Sequence, residues 1–180
     1  MFARRLGWSA GAALLAAVAL VLLAPRVGAE DKDKKDKLDL DKIPKKVMEA
    51  LKAKFPKAVI HKWTKEKEGD DVVYDIEFEV GEVKHEADIK EDGTIVNWEK
   101  EIAIKDLPKA VTEAIEKKYP KSKLKEAMKI TDVKDKKDVP GGYEVTLETK
   151  DSKTVEVEVS EDGKIREDSG DKKNEEKKDK

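Results

Sequence analysis

Cysteine is absent from the 180-residue chain, and this absence removes several kinds of chemistry. Disulfide bonds, thiol nucleophiles, thiolate metal sites and lipid anchoring on cysteine are all excluded. Histidine occurs only twice, no serine lies in a nucleophile elbow, and there is no glycine-rich phosphate loop. The sequence therefore lacks a catalytic constellation, and we expect a protein that is not an enzyme and uses no cofactor.

An excess of either charge is also missing, although charged residues make up 44% of the chain. The 39 basic residues are nearly balanced by 41 acidic ones. Nucleic-acid binding depends on a clustered basic surface that displaces counterions from phosphates. The balanced charge therefore argues against a nucleic-acid partner.

The N-terminus has the pattern of an export signal. Arg4 and Arg5 precede the uninterrupted apolar run 12–24, and Val27-Gly28-Ala29 supplies compact residues where a signal peptidase cuts. We predict that residues 1–29 are a signal peptide cleaved near Ala29, and that the protein is periplasmic or extracellular. No stable membrane insertion is then expected after cleavage, and an uncleaved anchor is the alternative. The mature chain has 36 basic and 41 acidic residues, a net charge of −5.

Two mixed-charge runs flank the rest of the chain. Residues 30–42 and 169–180 are rich in lysine, aspartate and glutamate and contain almost no apolar residues. Such segments bury too little apolar surface to offset the entropy of ordering. We predict a disordered linker over 30–42 and a disordered tail over 169–180.

Between these runs the chain repeats itself. Helix-forming segments match at an offset of 64 residues, and strand and turn segments match at offsets of 69 and 70. The matched pairs are Ile43–Val47 with Leu107–Val111, Phe55–Lys57 with Tyr119–Lys121, Tyr74–Ile76 with Tyr143–Val145, and Glu91–Gly93 with Glu161–Gly163. We therefore predict a duplication, with repeats over 43–104 and 105–168. The growing offset predicts a longer loop around 135–142 in the second repeat.

Each repeat has the pattern of one helix followed by four strands. A proline opens each helix, and apolar residues recur at every fourth position, as in Val47, Leu51 and Phe55. Alternating apolar and charged residues then predict strands with one buried face, and Asp-Gly pairs predict tight turns. The expected fold class is α+β: two tandem α-β-β-β-β repeats that form an antiparallel sheet with the helices packed on one face.

These motifs resemble the PepSY-like domain family, which is similar to β-lactamase-inhibitor proteins. The resemblance rests on Leu107-Pro108 opening a helix, an aromatic residue with proline closing it, a Tyr-x-Val/Ile strand and an acidic-Asp-Gly hairpin. It covers roughly 43–100 and 107–167. The resemblance implies an exported, non-catalytic binding module, associated in some relatives with inhibition of secreted enzymes, and it specifies no target.

The polar face of the predicted sheet is the candidate site. By alternation it carries many more carboxylates than lysines, which predicts a surface for a basic region of an exported protein or peptide. These carboxylates are Asp75, Glu77, Glu79, Glu86, Asp88, Glu144, Glu148, Glu156 and Glu158. The alternative is a solvated charge mosaic neutralised by lysines of the first strands, namely Lys62, Lys123 and Lys125.

Aromatic and imidazole side chains complete the candidates. Alternation places Trp63 on the same side as His61, where both could contribute to partner binding, although Trp63 could equally cover the seam between repeats. We interpret His85 as a core histidine with a satisfied hydrogen bond. The remaining alternatives are a structural or ion-buffering envelope protein without a discrete site, and a metal-binding protein in which His61 and His85 converge with carboxylates.

Overall fold

The computed structural model describes residues 38–69 and 71–170. The predicted signal peptide (1–29), most of the predicted linker and most of the predicted tail lie outside the described residues. The helices are α1 (Lys45–Lys54) and α2 (Lys109–Lys118). The strands are β1 (Val59–Glu68), β2 (Asp71–Val80), β3 (Val83–Lys90), β4 (Ile95–Glu101), β5 (Lys123–Lys134), β6 (Lys137–Glu148), β7 (Thr154–Val159) and β8 (Ile165–Asp168).

All eight strands form one antiparallel sheet, in which each strand pairs with its neighbours in the chain. The two halves of the sheet join where β4 pairs with β5, for example through Trp98 and Thr131. Both helices lie on the same side: α1 covers the first half and α2 covers the second. Among the described residues no helix covers the other side, which we call the open face. The predicted antiparallel sheet with two helices is thus confirmed.

The helix boundaries follow from proline placement. Pro44 and Pro108 stand immediately before α1 and α2, where the fixed φ of proline suits the start of a helix. Both helices end one residue before an aromatic-proline pair, since the residue preceding proline disfavours helical backbone. The N–H groups of Phe55 and Tyr119 donate to the carbonyls four residues back, at 2.7 Å each.

The core forms between each helix and the strands beneath it. Val47 and Leu51 of α1 are fully buried against a strand set that includes Ile76 and Phe78. In the second half Val111 and Ile115 occupy the equivalent positions on α2. Burying each such side chain contributes about 1.5–3 kcal/mol. The alternation predicted for the strands is confirmed by this burial pattern.

The segment 135–142, predicted as a loop, instead extends a hairpin. Strands β5 and β6 continue to a tight turn at Asp135 and Lys136, which both have positive φ (50° and 61°). A bulge at Gly141 shifts the register between Ile130–Gly142 and Thr131–Pro140. The loop prediction was wrong because backbone ladders do not require apolar side chains, and this primed turn lacks the usual glycine.

Parts of the predicted linker and tail are ordered elements. A short 3-10 helix spans Leu40–Lys42 and leads into the buried Ile43. At the other end, the Ser169 Oγ accepts a hydrogen bond from the Glu156 N–H at 2.9 Å. None of the helices within 38–69 and 71–170 combines the length and the apolar character that a membrane span requires.

Replacing Gly163 with alanine should reveal that the β7–β8 turn is seated on α2. Gly163 has φ +84°, and an added Cβ would lie 2.6 Å from the Ala110 carbonyl oxygen. Gly81 has a similar φ of +70° but open space around it. We expect Gly163→Ala to lower the free energy of unfolding by at least about 1 kcal/mol more than Gly81→Ala, measured by urea denaturation. Equal losses would contradict this packing.

Candidate functional site

The open face collects carboxylates from all eight strands. The strand register places on it all nine carboxylates that alternation predicted. It adds others from the first, central and terminal strands. The added residues include Glu66, Asp71, Glu99, Glu101, Glu126, Asp132 and Glu167. One side of a continuous sheet is therefore strongly acidic from β1 to β8.

Trp63 does not share this surface. A bulge between Ile60 and Lys62 inserts His61 into β1 and reverses the alternation that follows it. Trp63 consequently pairs with Ile76 on the helix side and packs half-buried against Tyr74, with ring centroids 6.1 Å apart. The placement of Trp63 and His61 on one side was wrong, because a one-residue bulge moves every later side chain to the other face.

The seam between the halves is covered on the helix side by another tryptophan. The Trp98 ring lies edge-on to Phe55, 5.5 Å away, and the Lys54 Nζ sits 5.3 Å from its centroid. Lys54 also binds Asp138 of the β5–β6 hairpin at 2.7 Å. This cluster joins α1 to the second half of the sheet, so the role of seam cover belongs to Trp98.

The two histidines lie on opposite sides of the sheet. His85 is buried on the helix side, stacked on Phe78, and its Nδ1–H donates to the Val83 carbonyl at 2.9 Å. His61 is exposed and its Nε2 lies 3.2 Å from the Glu79 carboxylate. The interpretation of His85 as a core histidine is confirmed. The two imidazoles do not converge on a common metal site.

Basic side chains neutralise part of the open face, mostly towards its edges. Lys62 binds Glu77 at 2.5 Å, and Lys125 binds Glu148 at 3.0 Å. Nearer the centre, the Lys84 ammonium bridges two carboxylates at 2.9 Å each. They are Glu86 and Glu126. The Arg166 guanidinium lies 3.2 Å from Glu158. The predicted compensation by Lys62 and Lys125 therefore exists, but it is incomplete.

Within the described part of the chain, two equivalent carboxylates form no ion pair, although Lys62 and Lys84 act on them from a distance. Asp75 on β2 and Glu144 on β6 are separated by 69 residues, the offset of the strand repeat. Burial, reinforced by neighbouring carboxylates, raises the pKa of each to about 8. Their cross-strand partners are themselves acidic, Asp88 and Glu158 respectively. Like charges directly opposite one another are destabilising, so both groups favour the protonated form.

Glu99 on β4 is the most deeply buried carboxylate of this face. Its side chain is 4% exposed, and its Oε2 has no hydrogen-bond partner. Burial first, and then the charges of Glu144 and Glu86, hold the pKa of Glu99 well above its usual range. Its Cα partners are Glu86 on β3 and the apolar Ile130 on β5. The centre of the open face therefore holds a buried carboxyl group next to an apolar side chain.

Alternation alone could have found Glu99. Once Trp98 is assigned to the helix side, Asn97, Glu99 and Glu101 must face the other way. That parity does not distinguish a buried carboxylate from a solvated one. The burial of Glu99 depends on neighbouring strands, including β5, which begins 24 residues later in the chain.

The raised pKa values predict that stability falls as pH rises. An acid whose pKa is raised by folding binds its proton more tightly in the folded state, so its contribution is fully present below about pH 4. That contribution is lost as pH rises towards about 8, the folded pKa of Asp75 and Glu144. We expect the free energy of unfolding to decrease across this window, measured by urea denaturation at a series of pH values.

Amide substitution should remove part of this slope. Asp75→Asn or Glu144→Gln should raise the free energy of unfolding at pH 9 by on the order of 1 kcal/mol, since no charge then forms in the acidic cluster. Glu82→Gln alters an exposed turn carboxylate and should leave the slope unchanged. A slope that survives both cluster substitutions would contradict the assignment of Asp75 and Glu144.

Comparison with known proteins identifies the family of this chain. The profile of the family described as "Putative beta-lactamase-inhibitor-like, PepSY-like" matches residues 29–96 and again 72–167. A search of curated proteins gave no match. Among solved structures, a BLIP-like protein from Bacteroides fragilis is 21% identical, with 70% of this chain and 85% of that chain covered and a TM-score of 0.47.

A second similar structure is described as "putative periplasmic proteins" from Bacteroides eggerthii. It is 13% identical, with 70% of this chain and 87% of that chain covered and a TM-score of 0.50, and it supports the fold alone. The two family matches together span residues 29–167, which is most of the chain and includes nearly all of the sheet. The chain therefore belongs to the PepSY-like family of beta-lactamase-inhibitor-like proteins.

Proposed function

We propose that the protein is an exported, non-catalytic binding module that recognises a secreted or envelope protein through the open face. The observation that carries this proposal is the acidic open face, which continues across both halves of the sheet and has no covering helix among the described residues. Inhibition or regulation of the bound protein is the activity that the family description suggests. The two repeats, 43–104 and 105–168, would both contribute to this surface.

Partial neutralisation favours binding over a self-contained charge mosaic. Ion pairs to Lys62, Lys84, Lys125 and Arg166 offset some of the negative charge, whereas no cation of residues 38–69 or 71–170 pairs with the central carboxylate Glu99. A basic partner surface would complete the neutralisation and speed encounter by electrostatic attraction. His61 remains part of the proposed surface through its contact with Glu79. Trp63 does not, because it lies on the helix side.

Export is the second part of this proposal. The signal peptide and its cleavage near Ala29 lie outside the described residues, and their support is the sequence pattern of a basic segment, an apolar run and compact residues. The structural relative from Bacteroides eggerthii carries a periplasmic description of its own. A periplasmic or extracellular location would bring the acidic face into contact with exported proteins.

Charge reversal on the open face should abolish partner capture. Residues 30–180 would be immobilised and used to retain proteins from the native envelope, alongside a variant carrying Glu77→Lys and Glu156→Lys. We expect a protein retained by the wild type to be lost from this variant, because two acidic positions of the surface become basic. Quantitative mass spectrometry of the eluates measures the difference.

A matched variant controls for total charge. Glu113→Lys with Glu116→Lys makes the same change in net charge on the exposed surface of α2, away from the open face. This variant should retain the partner as the wild type does. Equal loss from both variants would indicate general electrostatics, and equal retention by both would place binding away from the open face. Capture of no protein by the wild type would leave a structural or ion-buffering role as the better account.

A further inference from the structure

The centre of the open face holds a buried carboxyl group that forms no ion pair with any residue of the described ranges. Glu99 is 4% exposed, and its Oε2 lacks a hydrogen-bond partner. Lys84, on the neighbouring strand, is already held by Glu86 and Glu126 at 2.9 Å each. A buried carboxylate without a counter-charge is costly, so it retains a proton or acquires a cation from outside.

The surroundings of Glu99 combine apolar surface with further carboxylates. On β5, Ile130 is its Cα partner and Met128 lies two residues away on the same face, and both are nearly inaccessible to solvent. Glu144 and Glu86 exert the largest electrostatic effects on Glu99 after burial itself. Asp88 and Glu158 add to the same negative potential. An occupant of this place must therefore present a positive head on an apolar stem.

A metal ion fits these features poorly. Across 38–69 and 71–170, no group of three histidine, aspartate or glutamate side chains is arranged to hold a metal. Arginine fits better, because its three methylene groups can lie along apolar side chains while its planar guanidinium offers five donors to several carboxylates. Its pairing with carboxylates is frequently bidentate, which also fixes orientation.

We propose that Glu99 anchors an arginine side chain presented by the protein that binds the open face. In this arrangement the side chains that cover Met128 and Ile130 move aside, so that both residues pack against the methylene groups while Glu86 and Glu144 flank the guanidinium. The inference rests on the proposed function and adds the chemistry of the partner: an exposed arginine on a projecting loop or helix. Arginine would displace the proton that Glu99 otherwise holds, so that recognition and neutralisation occur in one step.

A small arginine probe tests the site without knowledge of the partner. The mature protein, with its carboxyl carbons labelled with ¹³C, would be titrated with N-acetyl-arginine amide and observed by NMR. We expect saturable shifts centred on Glu99, Glu86 and Glu144, and none with N-acetyl-citrulline amide, which has the same shape without the charge. Glu99→Gln should weaken the arginine probe by about tenfold, the loss of roughly one charge-assisted contact.

Glu113→Gln is the matched control, since it removes one exposed carboxylate on α2, away from the open face. It should leave the affinity for the arginine probe within about twofold. Circular dichroism of both variants verifies folding. Shifts that do not saturate, that spread evenly over the carboxylates, or that persist unchanged in Glu99→Gln would overturn the proposal.

The same variant separates this inference from the proposed function. A protein captured from the envelope that binds wild type and Glu99→Gln equally, but is lost from the Glu77→Lys, Glu156→Lys variant, would overturn the arginine anchor and leave the binding module standing. A protein that also loses at least tenfold in affinity with Glu99→Gln would support both. An arginine probe that binds while no envelope protein is captured would support the anchor and count against the broader function.

Discussion

Two ten-residue helices cover one side of an eight-stranded sheet, and the rest of the structure depends on this one-sided burial. Val47 and Leu51 of α1, with Val111 and Ile115 of α2, make the helix side the apolar core. The opposite side has no helix in the described ranges, so its charged side chains are stabilised by water where they are exposed, and by ion pairs, protonation or a partner where they are buried. The properties of the open face follow from this division.

Some carboxylates of the open face are stabilised by ion pairs, and others are buried without a cation from the described ranges. Lys62 and Arg166 neutralise carboxylates near its edges, while Asp75, Glu99 and Glu144 favour protonation because they are buried among other acids. Ionisation of these groups lowers the free energy of unfolding. In the described part of the chain, the buried carboxylates that lack a neutralising cation are concentrated at the centre of the open face. Sites that bind often sacrifice stability in this way, since the same groups that repel one another can attract a ligand.

The two halves of the sheet carry chemically different residues at one pair of equivalent positions. Trp98 and Asp168 are separated by the 70-residue offset of the turn repeat. In the first half Trp98 packs against Phe55, and in the second half Asp168 accepts a 2.6 Å hydrogen bond from the Tyr119 hydroxyl. Trp98 lies at the seam between the halves, where Lys54 also contacts the β5–β6 hairpin. Asp168 lies on the outer strand β8. Position in the sheet accounts for this difference.

Local sequence signals specify the helices, most of the strands and the side of the sheet on which nine carboxylates lie, because prolines and a two-residue alternation act through neighbouring residues. Other features depend on contacts between residues far apart in the chain. The bulge at His61 moved Trp63 to the helix side, and strand pairing made the segment 135–142 a hairpin. Burial of Glu99 likewise required β5 beside β4, since desolvation is a property of neighbours distant in the chain.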